Sequence, residues 1–226
     1  MTRTVPVSAP EAFHDPDPHA RPAAMGIGGQ SAIDLPAAEQ AAADLLHALG
    51  VRTEGESLRD TPGRMARAYQ ELLSPRPFTL TTFPNSEHYD ELVMVRDIPV
   101  RSLCEHHFLP FTGVAHVGYL PDDRILGLSK LARVVSHVAA RPQVQERLTK
   151  QIADWLAEKL APRGVGVVVE AEHSCMVLRG ARASGSTTVT STLLGCLRDD
   201  ARSRQEFFAL SRAAHRGRSG TGQLNP

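Results

Sequence analysis

Two short segments that lie far apart in the sequence carry side chains able to bind one metal ion. Cys104 and His107 are three residues apart, and Cys175 lies far downstream of both. Two thiolates and one imidazole form a donor set that zinc prefers. Structural zinc sites normally use four protein ligands, whereas three leave a fourth position for water, as in catalytic sites. The sequence therefore predicts a zinc site of the catalytic kind.

Two further histidines stand beside these candidate ligands. His106 directly precedes His107, and His173 lies two residues before Cys175, so both are placed to carry protons near the metal. A Cys-x-x-His pair alone is a weak signal, but the second segment, at the end of another predicted strand, strengthens it. One alternative stays open, namely a closed structural zinc site in which His106 or Glu105 is the fourth ligand.

A group of cations follows at the start of a predicted helix. Lys130 and Arg133 are three residues apart and can share a face of the first turn, next to the hydroxyl of Ser129. With a helix N-terminus, this set suits a phosphate group. An ordinary solvated face is the alternative, and these residues alone slightly favour it. Three more arginines are candidates for holding a polyphosphate, although each alone is more typical of a surface: Arg64, Arg67 and Arg179.

Gln145 and Glu146 fall in the first turns of the next predicted helix. The helix dipole keeps a carboxylate ionised at that position. A carboxylate there could accept both adjacent N–H donors on the Watson–Crick edge of a guanine. The alternative is a charge placed favourably on a helix, and the physics of the sequence alone favours that alternative.

The composition bounds the possible partners. Lys plus Arg equals Asp plus Glu at 25 each, so we expect no overall field toward nucleic acid or an anionic membrane. No apolar run has the length of a membrane span, and the N-terminus lacks a charged-then-apolar signal segment. Three cysteines do not make a disulfide framework, which favours a cytoplasmic location. Cys196 is more typical of a buried thiol than of a ligand.

The pattern along the chain predicts an α+β fold. The composition of residues 1–33 predicts a disordered tail, and that of residues 215–226 a flexible one. Residues 34–214 form one domain with a helical part (34–90) and a core (91–214). In the core, Val- and Ile-rich strands precede and follow two helices, in the order strand-strand-helix-helix-strand-strand. This order favours an antiparallel sheet covered by helices on one face. The predicted helices are 35–49, one from 60 to 74, one from 129, one after 142, and 201–214, and the strands are 92–103, 112–120, 165–175 and 187–194.

Several of these segments resemble GTP cyclohydrolase I. The agreement is strongest in four motifs, and weaker agreement runs through residues 60–64 and 188–191. Because independent long motifs occur in the same order over residues 35–212, the resemblance is specific. The four motifs are SLCEHHFLPF (102–111), GLSKLAR (127–133), RPQVQERLT (141–149) and HSCMVLRG (173–180).

The resemblance implies a zinc-dependent enzyme that converts GTP and water to 7,8-dihydroneopterin triphosphate and formate, the first step toward tetrahydrofolate. It implies the tunnelling fold and a toroidal decamer with its sites at subunit boundaries. The implied roles are zinc binding for Cys104, His107 and Cys175, acid/base chemistry for His106 and His173, a catalytic role near the ribose for Ser129, guanine recognition for Glu146 with Gln145, and triphosphate binding for Lys130, Arg133 and Arg179, with Arg64 and Arg67 reaching a neighbour's site.

Two rivals keep part of this chemistry. Another tunnelling-fold activity, such as a pterin synthase or a deazaguanine reductase, would keep a purine-like pocket, although the thiol-rich metal set and the cations argue against it. A non-catalytic, zinc-stabilised nucleotide-binding module would bind GTP and leave it intact. The products formed from GTP distinguish all three.

Overall fold

This computed structural model describes residues 3–4, 32–76 and 78–212. Within them, no helix is both long and apolar enough to cross a membrane. The helices are α1 (Leu35–Ala48), α2 (Thr61–Leu73), α3 (Ser129–Ala139), α4 (Gln145–Leu160), α5 (Ser174–Val177), α6 (Cys196–Asp199) and α7 (Ala201–Arg212). The strands are β1 (Arg3–Thr4), β2 (Thr81–Pro84), β3 (Val93–Cys104), β4 (Pro110–Leu120), β5 (Arg124–Leu126), β6 (Pro142–Gln143), β7 (Gly164–His173) and β8 (Thr188–Gly195).

The central sheet confirms the mixed fold and the predicted strand-strand-helix-helix-strand-strand order. Its five strands lie in the order β6-β3-β4-β7-β8, and β3, β4, β7 and β8 pair antiparallel. The two-residue strand β6 is parallel to the end of β3, with Leu103 opposite Pro142 and Cys104 opposite Gln143. A separate small sheet, β1-β2-β5, was not predicted because its strands are too short to show a period. Apart from β1, the predicted N-terminal tail up to residue 31 lies outside the described residues, as does the C-terminal one.

Helices lie on both faces of the sheet, so the prediction of helices on one face is wrong in part. Helices α3 and α4 cover the face that carries Val167 and Val169, where the main core lies. The other face, with Val168 and Leu193, packs against Phe207 of α7. A Cβ at Gly166 would lie only 2.5 Å from the Phe207 ring, so this close approach of α7 requires a glycine in β7.

The cover on this second face gives a stability prediction. Phe207 is fully buried, and we expect Phe207→Ala to lower the free energy of unfolding by about 3–5 kcal/mol because it removes a large side chain from a filled core. Leu210→Ala, on the exposed side of the same helix, is the matched control and should cost well under half of that. Urea unfolding at one protein concentration measures both. Equal losses for the two variants would contradict the packing of α7 described above.

The pairing of β4 brings distant segments to one edge of the sheet. The end of β3 lies beside the start of β4, with Leu103 opposite Pro110. The end of β7 lies on the other side of the same strand, with His173 opposite Phe111. Because antiparallel neighbours of one strand run in the same direction, both of their C-terminal ends reach this edge. The candidate metal segments therefore meet through the register of the sheet.

Candidate metal centre and active site

A tight loop after β3 presents the first two candidate ligands. The Cys104 amide donates to the Leu109 carbonyl at 2.8 Å, and the Phe108 amide donates to the Cys104 carbonyl at 2.8 Å. Phe108 has a left-handed backbone (φ 54°), which turns the chain back toward β4. The turn brings His107 next to Cys104, with 3.8 Å between the His107 Nδ1 and Cys104 Sγ atoms.

The third candidate comes from the short helix α5 at the end of β7. The Cys175 and Cys104 Sγ atoms are 3.9 Å apart, and the donor atoms of Cys104, His107 and Cys175 all lie within 4.8 Å of one another. Two thiolates bound to one tetrahedral zinc ion at the usual bond length lie about 3.8 Å apart. The separation and the donor chemistry therefore fit zinc, and the sulfurs are close enough to share an ion.

The two thiols of the cluster are electrostatically coupled. Burial raises the pKa of the Cys175 thiol, and its hydrogen bond and charge interaction with Cys104 raise it further. Two adjacent thiols resist ionisation together because the second negative charge is repelled by the first. A bound divalent cation would reverse this and hold both as thiolates.

Neither alternative fourth ligand belongs to the cluster. The Glu105 carboxylate forms an ion pair with Arg147 and turns away into that contact. His106 Nδ1 is 3.9 Å from the Cys104 Sγ atom, but in the described part of the chain the metal-binding group consists of the other three residues alone. His106 is largely exposed, so its imidazole lies at the open side of the site.

His173 is held by two contacts. Its ring stacks on the buried Phe111 ring, with centroids 4.5 Å apart and planes 10° apart. Its Nε2 atom lies 2.8 Å from the Gln145 Oε1 atom. Burial lowers the pKa of His173, and the Glu146 charge opposes that shift. A half-buried, oriented imidazole near a metal cluster is suited to proton transfer.

Gln145 is buried next to His173, and its predicted contact with a substrate stays a prediction. It is 1% exposed, and its Nε2 atom donates to the Val169 carbonyl (3.0 Å) and the Thr188 carbonyl (2.9 Å). Because the nitrogen must face these two carbonyls, the oxygen must face His173. His173 Nε2 therefore carries the proton of this hydrogen bond.

The exposed cations lie on two elements. Ser129 and Arg133 are exposed on the first turns of α3, and burial lowers the pKa of Lys130 between them, with Arg133 lowering it further. Arg179 is exposed just after α5, close enough for its charge to act on Cys175. In the described part of the chain no acidic side chain forms an ion pair with Lys130, Arg133 or Arg179. Their charges are available to an anion.

Arg64 makes local contacts at the start of α2, and its contact with a substrate stays a prediction. Its guanidinium donates to the Ser57 carbonyl (2.9 Å) and the Thr61 hydroxyl (3.0 Å) and pairs with Asp60 at 3.6 Å. These contacts tie the Arg64 guanidinium to the start of α2 within one chain. Arg67 is exposed on the same helix, and its role stays a prediction.

Comparison with known proteins identifies the family. A family model described as GTP cyclohydrolase I matches residues 38–212. The chain belongs to the GTP cyclohydrolase I family. Among relatives named GTP cyclohydrolase 1, the protein from Streptomyces avermitilis is 53% identical over 192 residues, covering 82% of this chain and 94% of the relative. The one from Aquifex aeolicus is 49% identical over 179 residues, covering 79% of this chain and 97% of the relative.

A solved structure of the archaeosine synthase QueF-Like, in the apo form, aligns with a TM-score of 0.37 and 18% identity, covering 46% of this chain and 93% of that chain. A likeness at that TM-score does not establish a shared fold. Membership of the GTP cyclohydrolase I family rests on the family model and the sequence relatives.

Sequence reasoning missed three residues that shape this GTP cyclohydrolase I site. Phe111 supports the His173 ring, and Gln143 and Arg147 contact the metal loop. The one signal for them in the sequence was position, since each lies in a motif that already carried predicted site residues. Their contacts depend on the register of the sheet and on how α4 packs against it, and the sequence pattern predicts neither.

Proposed function

We propose that this protein hydrolyses GTP to 7,8-dihydroneopterin triphosphate and formate, as the first step toward tetrahydrofolate or another reduced pterin. The observation that carries the proposal is one cluster of two thiols and an imidazole next to an oriented His173, in a chain of the GTP cyclohydrolase I family. Cys104, His107 and Cys175 would hold a zinc ion. When bound, zinc lowers the pKa of a coordinated water and polarises the bond under attack.

His173 gives and takes protons at the purine ring. Its Nε2–H is committed to Gln145, so Nδ1 is the nitrogen left to exchange a proton with the imidazole ring of the guanine. The stack on Phe111 keeps the ring in one plane, which spares the reorientation that a mobile imidazole would need. His106, exposed at the open side, serves the later proton transfers as the ribose rearranges and closes on the freed amine.

Glu146 binds the Watson–Crick edge of guanine. It is exposed on the first turn of α4, where the helix dipole favours its charge, and that charge also acts on His173. The carboxylate is therefore near the imidazole that would protonate the same purine. Two carboxylate oxygens can accept the two adjacent N–H donors of guanine.

Removing that carboxylate gives a prediction about affinity. We expect Glu146→Ala to weaken GTP binding by about 10²-fold, since a charge-assisted pair of hydrogen bonds is lost, while zinc content is unchanged. Glu158→Ala, an exposed carboxylate at the far end of the same helix, is the control and should leave affinity at the wild-type value. Equilibrium binding of GTP measures both, and unchanged affinity in Glu146→Ala would remove this residue from purine recognition.

Lys130, Arg133 and Arg179 hold the triphosphate, and Ser129 contacts the ribose. Lys130, Arg133 and Arg179 have no acidic partner in the described residues, and the charge of Arg179 also acts on Cys175. Three such charges match a polyphosphate better than a neutral ligand. The clamp would keep the opened intermediates in the site through the later steps.

The protein also assembles into a homo-oligomer, which we expect to be a decamer with sites at subunit boundaries. In the described residues, β8 is an edge strand of the sheet, and its Val189 side chain is 60% exposed. An open sheet edge with exposed apolar side chains is suited to pairing with another copy. Native mass spectrometry measures the subunit number, and a monomer at micromolar concentration would contradict assembly.

One assay tests the activity itself. The purified protein is incubated with GTP, and formate and a fluorescent pterin after oxidation are measured. Both products are expected. GTP left intact would favour a nucleotide-binding module, and turnover of a pterin or a deazaguanine instead would favour another tunnelling-fold activity.

A further inference from the structure

A partly buried polar network ties the metal loop to helix α4. Glu105, which lies between the candidate ligands Cys104 and His107, forms an ion pair with Arg147. Arg147 Nε donates to the Gln143 Oε1 atom at 3.0 Å. The Glu105 amide donates to the Gln143 carbonyl at 3.0 Å, so the loop meets this network through both its side chain and its backbone. We call Glu105, Gln143 and Arg147 the loop clamp.

Hydrogen bonds of the buried Gln143 fix the geometry of the loop clamp. Gln143 is 1% exposed, and its Nε2 atom donates to the Val138 carbonyl (3.0 Å) and the Gln151 Oε1 atom (2.9 Å). Because Nε2 must face a carbonyl, Oε1 must face Arg147, which leaves one orientation for the amide. The guanidinium fork is planar, so a bond from Nε directs a terminal nitrogen toward Glu105.

Arg147 lies in the same turn of α4 as residues with proposed roles at the substrate. It directly follows Glu146, the proposed guanine carboxylate, and lies two residues after Gln145, which orients His173. A single guanidinium thus links the strand end that carries two metal donors to the helix turn that carries the substrate and proton-transfer groups. The ion pair is about four-fifths removed from solvent, with exposed side-chain fractions of 23% for Arg147 and 20% for Glu105. Screening by water is therefore weaker than for a surface pair.

We propose that the loop clamp is a positioning device that holds residues 104–107 in their metal-binding shape and sets their distance from the N-terminal turn of α4. Glu105, Gln143 and Arg147 are positioning residues in this account, since none of them belongs to the metal cluster. The proposal deepens the proposed function, because it rests on the cluster binding zinc. It does not depend on which nucleotide is hydrolysed.

The test is the zinc affinity of the protein. Zinc-loaded protein is equilibrated with a chelator of known affinity, and the zinc retained is measured by elemental analysis. We expect Arg147→Met, which keeps the length of the side chain and removes the fork, to weaken zinc binding about tenfold or more, as is typical when groups supporting metal ligands are removed. Glu105→Gln should lose a similar amount. Since both break one contact, the double variant should lose little more than either single variant.

Lys150→Met is the matched control, because Lys150 is an exposed cation on the same helix whose partner Asp154 is also at the surface. Its zinc affinity should equal that of the wild type. Exchanging the charges, with Glu105→Arg and Arg147→Glu together, should recover part of the loss. If Arg147→Met does not fold, Arg147→Lys takes its place, since it keeps the charge without the fork, and an intermediate loss is expected.

Wild-type zinc affinity in a folded Arg147→Met protein would overturn the loop clamp. So would strictly additive losses in Glu105→Gln and Arg147→Met. These outcomes are distinct from failure of the proposed function, in which the wild-type protein itself would bind zinc and leave GTP unchanged.

Discussion

Cys175→Ala is expected to abolish both zinc binding and GTP turnover. The variant removes one of three donors, whose sulfur lies 3.9 Å from that of Cys104. The remaining thiol and imidazole form a two-donor set, which is too weak to retain zinc against cellular competitors. The side chain is small and half-buried, so the packing cost of its removal is modest. Zinc content by elemental analysis and formate release from GTP measure the two losses together.

The control for this variant is the cysteine outside the site. Cys196 lies at the start of α6, with its sulfur packed near Gly164. Cys196→Ala removes the same chemical group and should keep full zinc content and at least most of the activity. A metal-free Cys175→Ala protein with full turnover would refute the metal role of the cluster. A Cys175→Ala protein with full zinc content but no activity would instead show that another residue is the third zinc ligand.

Much of the fold followed from local pattern, and the failures have a common cause. Long strands such as Gly164–His173 and helices such as Gln145–Leu160 show their period within their own residues. The strands β2, β5 and β6 have two to four residues and exist because a neighbour pairs with them. The sequence pattern likewise did not predict which face of the sheet α7 packs against. That packing requires the absence of a side chain at Gly166, where a Cβ would meet the Phe207 ring.

The candidate site divides in the same way. The donor set of Cys104, His107 and Cys175 was predictable because its chemistry is a property of residue types, and the register of β4 then brought the three together. The role of Gln145 in orienting His173 was not predictable, since two backbone carbonyls on distant strands fix its amide. For Arg64, the local partners at the start of α2 were likewise not visible in the sequence, and its reach to a neighbour's site stays a prediction.

His173→Ala is expected to separate chemistry from binding. His173 is not one of the three clustered donors, so zinc content should stay at the wild-type value. Glu146 and the cations remain, so GTP affinity should change by less than about threefold. The rate of the hydrolytic step should fall by about 10²-fold or more, because the group that would protonate the purine ring is gone. Single-turnover release of formate, with zinc content and GTP affinity measured on the same sample, tests all three.

In this mechanism His173 exchanges protons through one defined nitrogen, Nδ1. The Gln145 amide accepts the Nε2–H, and the Phe111 ring fixes the plane, so the alanine variant removes a group that is already oriented. A matched control is His47→Ala, an exposed histidine in the last turn of α1, which should leave all three measurements unchanged. If His173→Ala lost zinc along with activity, the residue would be a metal ligand or its support. If its single-turnover rate matched the wild type, proton transfer would have to be assigned to His106 alone.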